Sequence, residues 1–121
     1  MKAIYRLKKS GDFKKVLDRR QCAFKNESFS LHWDSNDLGH ARIGLSVSSK
    51  LGNAVVRVRV KRQLRAQIDL ISATDKPVDA VIIVKSGYLS HSFEENLRYL
   101  TAAFESLDGQ LDRSIHEDSH K

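Results

Sequence analysis

The sequence has a single cysteine, Cys22, among 121 residues, so no disulfide can form within the chain and nothing ties it to an oxidising compartment. It has a single proline, Pro77, and no low-complexity tract, a composition that excludes an extended, proline-rich or disordered chain. No run of about 18 apolar residues occurs, which excludes a membrane-spanning helix. The start of the chain, MKAIYRLKKSGDF, carries charge but no apolar core, so it does not read as a secretory signal, and a cytoplasmic location is expected. No internal repeat is visible. The length suits one domain, and 40% hydrophobic residues suffice for a core without metal or disulfide staples.

What the chain does have is cationic charge, unevenly placed. The net charge is +6. Residues 1–65 hold 16 Lys+Arg and 5 Asp+Glu, a balance of +11, whereas residues 66–121 hold 5 and 10, a balance of −5. A basic half of this kind points to a polyanion. An anionic membrane surface would demand a basic helix with a large apolar opposite face.

Periodicity organises the chain into alternating elements. Ser10 opens a helix over about 11–20, with Phe13, Val16 and Leu17 as its apolar stripe. Residues 28–33 and 41–48 alternate as half-buried strands, and the DSNDLG turn between them predicts a hairpin. Gly44 interrupts the polar face of the second strand, which suggests close approach of another group to the backbone. Residues 54–65 alternate locally like a strand, yet Val56, Val60, Leu64, Ile68 and Ile71 form one helical stripe too long for an ordinary strand. A helix over 54–71 is therefore favoured. Residues 78–85 form a nearly continuous apolar run, as expected of a central strand. Ser92 and Glu95 form a capping box opening a helix to about Leu107, with Phe93, Leu97, Leu100 and Phe104 buried and Gly109 as its stop. The expected fold is α/β, an α+β sandwich in the order α-β-β-α-β-α, with a mixed sheet packed by helices. One domain over 1–109 is followed by a polar, disordered tail over 110–121.

Three groups of residues bear on chemistry. His116-Glu-Asp-Ser-His120 matches a zinc-protease pattern, but it lies at the very end of the chain without an apolar stripe or a third ligand, so it reads as coincidence. Residues 44–52, GLSVSSKLG, lack phosphate-loop spacing because Lys50 precedes Gly52. The third group is Lys50, Arg57, Arg59, Lys61, Arg62 and Arg65. On a helix, Arg57, Lys61 and Arg65 share a face at i, i+4 and i+8, with Arg62 at its edge and Arg59 pointing elsewhere. Such a repelling row makes sense when phosphates neutralise it, and arginine suits phosphate through its planar fork.

Residues 42–65, RIGLSVSSKLGNAVVRVRVKRQLR, closely resemble the signature of the bacterial ribonuclease P protein component, R-x-G-x-S-V-S-K-K-x-G-N-A-V-x-R-N-R-x-K-R-x-x-R. The resemblance extends over about residues 4–107. It implies a protein that assists a ribozyme in removing the 5′ leader of precursor tRNA. The RNA subunit would hold the catalytic Mg2+ and perform the cleavage, with no cofactor and no catalytic residue in the protein. It also implies a left-handed β-α-β crossover, against the usual preference. By position, Lys50, Asn53, Arg57, Arg59, Lys61, Arg62 and Arg65 would meet the RNA subunit, while Arg6, Phe13, Leu17 and His32 would line a cleft for the single-stranded leader. Phe13 reads equally well as ordinary core. Trp33 takes the place of His32 if the strand register slips by one. No membrane and no obligate protein partner are implied. Val58 stands where the family has Asn, which removes a polar contact; on that reading Val58→Asn would tighten RNA binding by about 1 kcal/mol. Ser49 and Ala66 also depart from the pattern, and Leu17 is not aromatic. The alternative is a non-enzymatic module for structured RNA, ribosome-associated or chaperone-like.

Overall fold

Alternating apolar residues build the sheet, and the one strand apolar on both faces takes its middle. The computed structural model describes residues 1–119, with side-chain surroundings through Ser114. Its elements are α1 (Ser10–Asp18), β1 (Cys22–Lys25), β2 (Phe29–Ser35), β3 (Arg42–Ser46), α2 (Ala54–Leu70), β4 (Val78–Val84) and α3 (Phe93–Ser119). The strands order as β1-β2-β4-β3. β1 pairs antiparallel with β2, β2 antiparallel with β4, and β3 parallel with β4. This is the mixed sheet packed by helices that periodicity predicts, with one strand more.

The expected hairpin does not form. β4 lies between β2 and β3, paired along both edges, and every residue of it except half-buried Ile83 is buried, with α2 and α3 over one face and α1 over the other. The loop between β2 and β3 instead ties to the approach to β4, through Asn36 N–H to the Pro77 carbonyl at 2.9 Å and Ala41 N–H to that of Thr74 at 3.1 Å. The connection β3-α2-β4 is thus a crossover between adjacent parallel strands.

β1 escaped the alternation test because its pairing is irregular between Cys22 and Phe24. The bulge turns Ala23 into the core and breaks the two-residue period.

α2 settles the ambiguous segment as helix. Asn53 caps it, its Oδ1 accepting from Val56 N–H at 3.0 Å, and Val60, Leu64 and Ile68 are buried. In α3 the capping box is reciprocal: Ser92 N–H donates to Glu95 Oε1, and Glu95 N–H to Ser92 Oγ, both at 3.1 Å. Gly109 does not stop this helix. The stripe runs on through Leu100, Phe104, Leu107 and Leu111, all buried, while Phe93 and Leu97 at the start are only half-buried. Gln110 accepts a hydrogen bond from Trp33 Nε1 at 2.8 Å. Residues 110–119 are therefore helix rather than a disordered tail, because burial of Leu111 outweighs a helical glycine, which costs about 1 kcal/mol.

The sheet has two unlike faces. Phe29, Leu31, Trp33, Ile43, Ala80 and Ile82 join α2 and α3 in the main core. The opposite face carries only α1, whose Val16 packs with Leu7 and Val81, flanked by Phe13 and Ile83. On that face His32, Arg42 and Ile83 stay half-buried and Ser46 is exposed. The chain before α1 runs along the free edge of β3, with Leu7 N–H donating to the Ile43 carbonyl at 3.1 Å.

Candidate nucleic-acid interface

α2 presents two basic faces. Arg57, Lys61 and Arg65 are half-buried, whereas Arg59 and Arg62 are exposed. Lys61 and Arg65 do not point outward with Arg59 and Arg62. They join Arg6, Lys8, Phe13, Ile43 and Leu45 around a cavity of about 280 Å3 at the β3 edge. Four cationic side chains line it with Met1, whose amino group is paired with Asp69 at 2.8 Å, and no carboxylate does so among the described residues. Burial, and then the neighbouring Arg6 charge, pull Arg65 below the ordinary guanidinium value. The Nε atoms of Arg57 and Arg65 are buried without a hydrogen-bond partner among the described residues. A buried, unpaired guanidinium N–H beside other cations is a site that an anion would relieve.

The outer face of α2 holds Arg59 and Arg62 beside Ala54, Val55 and Val58. Neither arginine has a carboxylate partner among the described residues, and no acidic residue precedes Asp69 in this helix. Asn53 lies at the helix start with its carboxamide oxygen occupied by the cap. Lys50 is exposed, beside a cavity of about 230 Å3 lined also by Ser48, Lys85 and Ser86 at the carboxyl ends of β3 and β4.

The α1 face separates residues that the resemblance groups together. Phe13 lies over Gly44 so closely that a Cβ there would fall 2.4 Å from Cζ of the ring, which explains the glycine in the polar face of β3. His32 is on β2. Gly44 and His32 both pair with Val81 of β4, from opposite sides, so about 10 Å separates their backbones. Val81 between them is sealed by Val16. Phe13 and Arg6 therefore belong with Lys61 and Arg65, and His32 borders a separate open strip. The next row of that strip holds exposed Lys25, buried Ser30, half-buried Ile83 and exposed Ser46. Ser30 Oγ lies 2.8 Å from His32 Nε2. Burial, then Lys85 and Lys25, hold His32 below the ordinary imidazole value. Leu17 is exposed on α1. The register does not slip: Trp33 points to the opposite face, into the main core.

At the far end of the α1 face, carboxylates are matched by arginines. Arg42 donates to Asp79 through Nε at 2.9 Å and Nη2 at 2.7 Å, and Arg19 approaches Asp34 at 3.4 Å. Their charge is thereby neutralised, and the open strip stays cationic. Sequence reasoning missed Lys8, Lys25 and Lys85, because only register and the folding-back of the N-terminal segment bring them to these surfaces. His120 and the side chain of His116 lie outside the described residues. No group of three or more metal-ligating side chains is assembled among the described ones.

A small α+β domain with uncompensated cationic surfaces, each mixed with apolar or aromatic groups, has the build of a nucleic-acid-binding protein. Comparison with known proteins narrows the class. The family model described as Ribonuclease P matches residues 1–108. The ribonuclease P protein component of Lactococcus lactis subsp. cremoris is 40% identical over 103 residues, covering 83% of this chain and 87% of that one. That of Bacillus velezensis is 42% identical over 105 residues, covering 86% and 90%. The solved structure of the Staphylococcus aureus RNase P protein superposes with a TM-score of 0.74 at 27% identity, over 84% of this chain and 93% of that one. The chain belongs to the ribonuclease P protein component family, and its role lies in a tRNA-processing ribonuclease.

Proposed function

We propose that this chain is the accessory subunit of a cytoplasmic ribonuclease P. It binds the catalytic RNA subunit through the outer face of α2 and the single-stranded 5′ leader of precursor tRNA on its α1 side. The observation that carries this reading is the division of one basic helix into two faces whose lysines and arginines have no carboxylate partner among the described residues. Arg59 and Arg62, with Lys50 nearby, hold phosphates of the RNA subunit. Lys61 and Arg65, which the family pattern alone would group with them, act with Arg6 and Lys8 on leader phosphates instead. Phe13 supplies a ring at the rim on which a base stacks, a mode tolerant of sequence. His32, kept neutral by burial and nearby lysines, offers a second aromatic surface. Cleavage is assigned to the RNA subunit and its Mg2+; the protein raises affinity for the substrate.

Reconstitution with a bacterial ribonuclease P RNA at low Mg2+ tests this, using precursors with and without a leader. The protein should stimulate cleavage of the leader-bearing precursor most. Arg62→Ala should weaken RNA-subunit binding and lower the log–log salt slope by about one. Arg65→Ala should act chiefly on precursors that carry a leader. RNA binding without any stimulation of cleavage would favour the structured-RNA module instead.

A further inference from the structure

The outer face of α2 has a feature that phosphate binding does not explain. Val55 is 77% exposed and Val58 53% exposed, and with Ala54 they form a continuous apolar surface bordered by Arg59 and Arg62. Phosphates gain nothing from valines, and β-branched residues are slightly unfavourable in a helix. The Val55–Val58 surface therefore fits a partner that is anionic and also presents an apolar face.

We infer that Ala54, Val55 and Val58 seat an unstacked nucleobase of the RNA subunit, with Arg59 and Arg62 holding the phosphates on either side of it. The inference rests on the proposed binding of RNA by this face and specifies the contact. Unpaired bases of folded RNA can be splayed out against apolar side chains, and every base offers such a face. Charge selects among occupants. A second copy of the chain packed on the same patch would bring two Arg59–Arg62 pairs together with no carboxylate between them, since the first acidic residue of α2 is Asp69. A lipid surface would find only two valines and an alanine here, with exposed Leu70 some three turns further along, because the main apolar stripe of the helix, Val60, Leu64 and Ile68, is buried in the core. On this assignment Val58 is not simply a lost hydrogen bond: the patch selects an apolar contact in its place.

The test is binding of the full chain to a bacterial ribonuclease P RNA across a salt series. Val55→Ala/Val58→Ala removes the apolar surface while favouring helix, so weaker binding would not reflect unfolding. It should weaken binding roughly fivefold or more and leave the salt slope unchanged. Val58→Asn should weaken binding too, opposite in sign to restoring a missing polar contact. Benzoylphenylalanine placed at Val58 should photocrosslink to an unpaired nucleotide. Unchanged affinity of the double variant, tighter binding of Val58→Asn, crosslinking only within duplex, or a dimer in sedimentation that Val58→Asn dissolves would each overturn the inference while the Arg62→Ala effect still stood. Failure of the unsubstituted chain to bind the RNA would overturn both readings at once.

Discussion

Gly44→Ala measures whether the Phe13 ring is held against β3 and whether that position serves the leader. The added Cβ would sit 2.4 Å from Cζ and 2.8 Å from Cε1, against ordinary contact from 3.4 Å, so the ring must withdraw by about 1 Å. Gly44 is not among the glycines with positive φ, so its backbone accepts alanine without strain and the whole penalty comes from the ring. Overpacking of this kind costs about 1–3 kcal/mol. Phe13→Ala, at a half-buried ring, should cost about 2 kcal/mol, below the range for fully buried phenylalanine. With the ring gone, the three atoms nearest to that Cβ are gone too, and alanine at 44 stiffens the unfolded chain, a gain of about 0.5 kcal/mol. Urea denaturation of the two single variants and the double variant should thus give a coupling of about 1.5 kcal/mol or more. Affinity for a leader-bearing precursor should fall in Gly44→Ala, with RNA-subunit affinity unchanged. Additivity within about 0.5 kcal/mol would refute the contact, and equal loss of both affinities would refute its place in the leader cleft.

Three further outcomes follow from the fold. Deleting residues 110–121 should destabilise the protein by about 3 kcal/mol in urea, because Leu111 leaves the core and the buried Trp33 N–H loses Gln110; an unchanged midpoint would restore the view of a dispensable tail. Asp79→Asn should cost about 2 kcal/mol at neutral pH: burial alone would raise this carboxyl, but hydrogen bonds from Arg42 and Asn36 outweigh it and hold it below its ordinary value. Its contribution is therefore present above the unfolded value of 3.8 and lost as pH falls through the depressed folded value, so the variant should show a flatter acid limb in stability against pH. His91 behaves oppositely. Hydrogen bonds to Glu27 and then Glu95 raise it above 6.5, so its contribution is complete below 6.5 and lost as pH rises through the raised value. His91→Gln should remove that alkaline decline, and a decline that persists would show that this clip between the β1–β2 turn and α3 does not couple to folding.

How far the sequence could be read depended on whether the deciding contact was local. The stripe Val60, Leu64 and Ile68 marked α2 because helix periodicity is local, and the Ser92–Glu95 box marked the start of α3 for the same reason. The expected hairpin does not form because adjacency along the chain does not fix adjacency in the sheet. What ordered the strands was the pairing of both edges of β4 with strands more than 30 positions away. The end of α3 was not legible at Gly109 because the helix is held by Leu111, whose partners lie on other elements. Gly44 was legible as a close approach, but Phe13 was not identifiable as the group approaching it. Gly87 gave no signal at all, although a Cβ there would meet the Glu27 carbonyl oxygen at 2.3 Å.

The candidate site divides in the same way, and the charge asymmetry of the sequence acquires a spatial meaning. The spacing of Arg57, Lys61 and Arg65 gave a shared face; what that face meets depends on Arg6 and Lys8, which reach it only because their segment lies along β3. Of the five carboxylates in residues 1–65, four have partners away from α2: Asp12 with Arg42, Asp18 with Lys14, Glu27 with His91 and Asp34 with Arg19. The fifth, Asp37, lines a cavity with Ser35, Asn36 and Arg42 on the far side of α1. None remains to neutralise the cations on the inner and outer faces of α2. The excess of +11 in that half is thus not spread evenly over the surface. Folding matches the acidic residues with arginine, lysine and histidine at other places and leaves most of the surplus along one helix and the segment beside it, with Lys15, Arg20, Lys25 and Lys50 exposed elsewhere. That placement raises the local potential where a polyanion would be drawn in, and it is why a modest net charge of +6 understates the charge such a ligand would meet.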